Sequence, residues 1–277
     1  MADTPTHLRV SRTDTGVVIL TLDYPQRRNA MSAAMTEAWA RAIADIRTDT
    51  TVRAVMVTGA GGAFCSGGDT GWIGGDPDAT VDELRHKMLP FYRTWLSIRD
   101  LEVPTLAAID GAAVGAGAAI ALACDVRVAS SRASFSVPFL RLGIHPGMAT
   151  TFLLREVAGV AVARDLLLTG RRVGAAEMLR MGIVTDILGG DDDGEADRGE
   201  ADAGFDAAAR HRADLLAAGA PIATGLTKVA LRAGAARSFD EAIDWESLAQ
   251  PITMATEDLH EGLAAQRERR PARFTGR

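Results

Sequence analysis

Apolar and polar positions along the chain follow two periods, and the switches between them mark its elements. Residues 16–22, GVVILTL, are rich in β-branched side chains and predict a strand. A turn, DYPQRR, follows at 23–28, and Asn29 or Ser32 could cap the next helix, whose apolar positions are Met35, Trp39, Ala42, Ile43 and Ile46. Residues 53–58 predict a second strand ending in Gly59-Ala60-Gly61-Gly62, then AFCSGGD at 63–69 and a polar loop at 72–80. An amphipathic helix at 82–99 carries Leu84, Met88, Phe91, Trp95 and Ile98 on one side. Residues 104–129 read as a buried strand, a turn with Gly111, Gly115 and Gly117, an uncharged helix from Ala116 to Ala123, and another buried strand. Beyond them come a short strand at 134–137, helices at 150–157, 160–168 and 175–181, and a last strand at 182–188.

Strands alternate with helices to about residue 188, and helices alone follow at 205–218, 221–233, 238–249 and 252–267. That order predicts an α/β core over 1–190 and a helical region over 205–277. Between them, 191–204 is acidic and low in complexity and reads as a solvated loop.

Composition narrows the chemistry. With 277 residues, 47% hydrophobic and 24% charged, the chain can bury one large core plus an appendage. A net charge of −6 gives no reason to expect nucleic-acid binding. Cys65 and Cys124 offer neither metal spacing nor a disulfide framework, which suits a reducing cytosol. MADTPTHLRVSR has no apolar signal core, and no uncharged run is long enough for a membrane span, so a cytoplasmic protein off the membrane is expected.

The turn at 111–117 opens a helix, so its backbone N–H groups can receive a phosphate, a carboxylate or an oxyanion. Equally, small residues there let a helix pack close to a sheet. The third glycine of a dinucleotide fingerprint is missing after Gly115-Ala116-Gly117, and no phosphate-loop lysine motif exists.

Two segments, AFCSGGD at 63–69 and IDGAAVGAGAAIALACDVRVAS at 109–130, resemble the signature segments of the enoyl-CoA hydratase/isomerase (crotonase) superfamily. The likeness continues through YPQRRNAMS (24–32), FSVPFLRLGIHPG (135–147) and LLLTGRRVGAAEMLRMGIV (166–184), covering about residues 8–265. It implies a crotonase-like α/β spiral of ββα units, with C-terminal helices that assemble a homotrimer or a dimer of trimers. It implies an acyl-CoA ligand, with coenzyme A as part of the substrate, no covalently bound cofactor and no metal.

The resemblance further implies that the backbone N–H groups of Gly68 and Ala116 grip the thioester oxygen. Asp69, Thr70 and Gly71 would face the pantetheine, and Arg28 and Ala30 the adenine and phosphates. Trp72, Phe91 and Phe139 would form an apolar acyl pocket, Trp95 reading first as core beside it, with Ser66, Gly115 and Pro138 completing the substrate contacts. Both glutamates of the family's hydratases are replaced, by Ala119 and Phe139, and Gly147 stands where some relatives carry an aspartate. Ordinary hydration is therefore not expected.

His145 is the candidate for proton transfer, against a loop histidine bonded near Pro146. His86, Asp76, Asp82, Glu83 and Arg141 read first as surface groups, and Cys65 as a small buried thiol. Arg267, Arg269, Arg270 and Arg273 could meet a coenzyme A phosphate or belong to a frayed tail. Two classes of function remain open. One is an atypical acyl-CoA enzyme, including a decarboxylase or hydrolase, and the other a non-catalytic acyl-CoA carrier or regulatory binder.

Overall fold

A computed structural model describes residues 6–69, 71, 74–75, 77–189, 198–234 and 237–277. Among them two sheets run side by side. The larger contains β1 (Leu8–Arg12), β2 (Val17–Leu22), β3 (Ala54–Gly59), β5 (Thr105–Ile109), β7 (Val126–Ser130) and β10 (Asp186–Leu188), in that order. The smaller orders β4 (Ala63–Cys65), β6 (Ala112–Val114), β8 (Ser134–Ser136) and β9 (Arg172–Gly174). β1–β2 and β8–β9 pair antiparallel, and every other pair is parallel.

The repeat is visible in the order of elements. β3 and β4 lead to α2 (Val81–Leu96), β5 and β6 to α3 (Ala116–Ala123), and β7 and β8 to α4 (Thr150–Thr169). Each unit places its first strand in the large sheet and its second in the small one, so successive units stack into a spiral. The remaining helices are α1 (Ala33–Thr48), α5 (Ala175–Arg180), α6 (Arg198–Ala217), α7 (Pro221–Gly234), α8 (Phe239–Met254) and α9 (Glu257–Glu268).

Both faces of the large sheet are covered, which explains its near-continuous apolar strands. Val18, Leu20, Leu22, Val55, Val57, Ala107 and Ile109 join the main core with α1, α3 and α4. Their alternate neighbours Val17, Ile19, Ala54, Met56, Leu106 and Ala108 pack under Phe205, Ala209, Ala213 and Ala217 of α6. These four recur every fourth residue and so lie along one helix face. No single helix among the described residues is long and apolar enough to cross a membrane. The pair 204–217 and 221–233 passes that test jointly but is bent by 99°.

Several boundaries differ from the sequence pattern. β1 is exposed at four of its five positions, so no alternation announces it. α6 begins at Arg198, inside the stretch expected to be a loop. RGEADAG at 198–204 is polar, yet Arg, Glu and Ala are good helix formers, and a docked stripe further along can propagate them into helix. α8 runs through Pro251 to Met254, and α9 begins after Thr256 with Glu257 and Asp258 in its first turn. The expected pair of helices at 150–157 and 160–168 corresponds to α4, broken where Gly159 leaves helical geometry at φ 78°.

Candidate active site

The first turn is held by its neighbours rather than by itself. Ser66 N–H donates to the Arg28 carbonyl at 2.9 Å, and Met31 N–H to that of Gly67 at 2.9 Å. Behind it sits Asn29, fully buried and in left-handed conformation at φ 57°, which asparagine tolerates better than most residues. Its Nδ2 donates to the carbonyls of Ala60 (2.8 Å) and Ala63 (2.7 Å), and its Oδ1 accepts Tyr24 N–H (2.8 Å). One amide thus ties the 25–29 turn to the corner between β3 and β4. Ser32, not Asn29, caps α1 by accepting Met35 N–H at 3.2 Å.

The second turn is pressed against the first. A side chain on Gly67 would begin 2.8 Å from the Val114 carbonyl oxygen and 3.2 Å from the Ala116 nitrogen. One on Gly117 would begin 2.7 Å from the Cys65 Cβ. Only glycine fits at both positions, and the start of α3 therefore lies directly on AFCSGGD. Gly115, at φ 56°, turns the chain into the helix and anchors it by donating to the Ser136 carbonyl at 2.9 Å. Ala116 is the first helical residue and has negative φ, so its alanine side chain costs no strain. Its N–H points out of the helix start and has no intrahelical acceptor. Among the described residues, neither this N–H nor that of Gly68 has a backbone acceptor outside regular elements.

Both N–H bearing residues line one cavity of about 110 Å³, along with Ser66, Gly115, Pro138, Phe139 and His145. Its other walls are Met88, Phe91 and Tyr92 of α2, then Leu142, Ile144, Gly147 and Met148. α2 is pinned at its start by a capping box between Thr80 and Glu83, which holds the Glu83 carboxyl below its ordinary pKa. The spacing of Met88, Phe91 and Tyr92 puts all three on the inward face. A larger recess of about 640 Å³ lies at the far end of α3, but its charges are already paired. Lys228 Nζ sits 2.7 Å from Asp125 and 2.8 Å from the Val103 carbonyl, and Arg127 donates to the carbonyls of Ile183 and Cys124.

Several expected residues stand elsewhere. Arg28 is exposed, Ala30 is buried, and Asp69 accepts Gly71 N–H at 2.9 Å; none of these four lines the cavity. Thr70, Trp72 and Asp76 lie outside the described residues. Trp95 is core: fully buried, it stacks 4.7 Å from Trp39 and donates to Thr36 Oγ1 at 3.1 Å. His86 is exposed beside Asp82, and Arg141 is exposed with Nε donating to the Thr169 carbonyl at 3.3 Å. Burial pushes the Cys65 thiol up to about 12, so it is no nucleophile near neutrality.

The C-terminal segment is not frayed. Arg270 is bidentate to Glu261, and the N–H groups of Thr275 and Gly276 donate to the Asp258 carboxylate.

Ala119 is fully buried in the core and its methyl does not reach the cavity. Phe139 does: it is 9% exposed, with its ring 3.9 Å from where a side chain on Gly115 would begin. His145 is exposed, with Nδ1 2.8 Å from the Pro146 carbonyl. A carbonyl only accepts, so Nδ1 carries the proton and the neutral ring keeps its lone pair on Nε2. Tyr92, which the sequence pattern did not single out, and Asn29, which it read only as a candidate cap, are among the residues the structure adds to the site. Tyr92 follows Phe91 and lies one turn after Met88, and that spacing was the available signal.

Residues 12–277 match the family described as enoyl-CoA hydratase/isomerase. A Rhodobacter capsulatus protein named "Probable enoyl-CoA hydratase" is 34% identical over 262 residues, covering 95% of each chain. The 1,2-epoxyphenylacetyl-CoA isomerase of Escherichia coli K12 is 31% identical over 269 residues, covering 97% of this chain and 98% of that one. The crystal structure of an enoyl-CoA hydratase from Bacillus anthracis aligns with a TM-score of 0.86 at 29% identity, over 98% of this chain and 100% of that one.

Proposed function

The chain belongs to the enoyl-CoA hydratase/isomerase (crotonase) family, and on that premise we propose that it binds an acyl-CoA thioester and stabilises an enolate without ordinary water addition. The observation that carries this reading is the meeting of two turns, with Gly68 and Ala116 on one cavity beside Phe139. Two preorganised N–H donors facing a developing oxyanion are each worth about 3–4 kcal/mol in the transition state. Ala116 adds the positive end of α3 to that field. The acyl group would then lie among Met88, Phe91, Phe139 and Met148, which exclude water from it.

Proton transfer is where the site departs from a hydratase. A methyl at 119 and a phenyl ring at 139 hold no proton, and the ring takes volume that an attacking water would need. His145, whose Nε2 lone pair is free when Nδ1 holds the proton, is the side chain left in the cavity that can accept a proton from carbon. A second reading, a non-catalytic acyl-CoA carrier or regulatory subunit, is favoured by the same buried Phe139. We assign the protein to the cytoplasm, where two buried free thiols stay reduced. We also infer a homotrimer or dimer of trimers. The exposed Phe239, Ile243, Leu248 and Ile252 of α8 support an apolar interface.

The test is to offer crotonyl-CoA and longer enoyl-CoAs, measuring binding by calorimetry and hydration by loss of the conjugated thioester absorbance. Saturable binding with little absorbance loss is expected. Rapid hydration would overturn the account of Ala119 and Phe139, and absence of binding would overturn the acyl-CoA assignment. Malonyl-type and β-keto thioesters in the same panel separate a decarboxylase or hydrolase from a carrier.

A further inference from the structure

Tyr92 is the polar group of this cavity that the family-based reading does not use. It enters from α2, on the same inward face as Met88. Its hydroxyl reaches the far wall: a side chain on Gly147 would land on it and would begin 2.9 Å from its Cζ. Gly147 therefore leaves the space that the phenol occupies. The ring is only partly buried and packs against the core, with Phe91 at 6.2 Å edge-on. Among the described residues, no side-chain hydrogen bond is made by its hydroxyl.

Burial raises the Tyr92 pKa, so the phenol stays protonated and can act as a donor at neutral pH. The cavity it enters is walled mainly by apolar groups, Phe91, Phe139, Ile144 and Met148 among them, with Ser66 and His145 its other polar side chains. Before a ligand enters, water can serve as its acceptor. A hydrocarbon acyl chain would expel that water and strand the hydroxyl, whereas an acyl chain bearing an oxygen would replace it. Sites with such a donor discriminate against analogues that lack the partner, because the donor is then left unpaired.

Resting on the acyl-CoA reading above, we propose that Tyr92 donates a hydrogen bond to an oxygen substituent of the acyl chain. The substrates are then oxygenated acyl-CoA thioesters (hydroxy, epoxy or keto) rather than plain hydrocarbon ones. Phe139 and Gly147 divide the work: the first supplies an apolar wall, and the second leaves room for a neutral donor from another helix.

Calorimetry decides this without requiring turnover. Butyryl-CoA is compared with 2-hydroxy-, 3-hydroxy- and 4-hydroxybutyryl-CoA on the wild-type protein and on Tyr92→Phe. That change deletes one oxygen, and a melting curve confirms the fold. At least one hydroxy thioester should bind the wild type roughly tenfold more tightly than butyryl-CoA, the order expected of one neutral hydrogen bond. In Tyr92→Phe that preference should vanish, with butyryl-CoA binding as tightly as the hydroxy thioesters because no hydroxyl is left to strand. Equal binding of all four by the wild type overturns the proposal, as does a preference that survives Tyr92→Phe; both leave the acyl-CoA reading standing. If none of the four binds, the acyl-CoA reading fails and this one fails with it.

Discussion

Gly117→Ala tests whether the two turns form a single receptor for the thioester oxygen. The added methyl would begin 2.7 Å from the Cys65 Cβ and 2.8 Å from its carbonyl carbon. Carbon atoms pack at about 3.5–4.0 Å, so the start of α3 must move off AFCSGGD by roughly 1 Å. Overpacking of this kind costs about 1–3 kcal/mol, a drop in melting temperature of roughly 2–12 °C for a chain of this size. Donors held to a common oxygen tolerate only about 0.5 Å of displacement. The assay compares butyryl-CoA with its thioether analogue, which lacks the carbonyl oxygen. Two net hydrogen bonds of about 0.5–1.5 kcal/mol each predict a wild-type preference for the thioester of roughly 5- to 150-fold. In Gly117→Ala the preference should fall to less than about threefold while the thioether binds as before. A wild-type protein that ignores the carbonyl, or a folded Gly117→Ala that keeps the full preference, refutes the pairing of Gly68 and Ala116.

Phe139→Glu places a carboxylate on the cavity wall, and hydration of crotonyl-CoA should rise by about 10²-fold or more over wild type; an unchanged rate would show that position 139 does not face the reacting carbons. Asn29→Ala strands the carbonyls of Ala60 and Ala63 in the core, and should lower stability by about 2–4 kcal/mol in denaturant melts. Asn29→Asp, which has no donor for those carbonyls, should fare no better, and a neutral effect of either change would remove Asn29 as the tie between the turns. The Arg270 guanidinium, then the Arg273 N–H, hold the Glu261 carboxyl at about 2, below its ordinary 4.5. A depressed folded-state pKa contributes stability above 4.5 that is lost as pH falls toward 2. The melting-temperature gap between wild type and Glu261→Gln should therefore be widest near neutral pH and close across that window. A gap independent of pH would show that Glu261 acts by packing alone.

Much of the architecture was legible because it rests on local rules. The runs at 16–22, 53–58 and 105–109 read as buried strands because both faces of their sheet are covered. Trp95 read as core because it falls on the apolar side of its helix with Phe91 and Ile98, and Cys65 because it follows a strand with no histidine nearby in sequence. The short strands β4, β6, β8 and β9 were less legible. Each has three residues, too few to show a period, and is defined by pairing with strands distant in sequence. β1 escaped for a different reason: its outward side chains are polar or solvated, and only the register with β2 makes it a strand.

The site divides along the same line. By itself the sequence determined that two glycine-rich turns exist, that a helix starts at Ala116, and that Ala119 and Phe139 carry no titratable group. Those are statements about residue type and immediate neighbours. Only the tertiary structure decided that Gly67 and Gly117 are glycines because two turns nearly touch. It alone decided that Asn29 is a buried tie rather than a cap, and that Tyr92 fills the space left by Gly147. Each of these is a contact between segments dozens of residues apart. Spacing along the chain carries no trace of such contacts, because close packing, not local propensity, selects the side chain on each side of them.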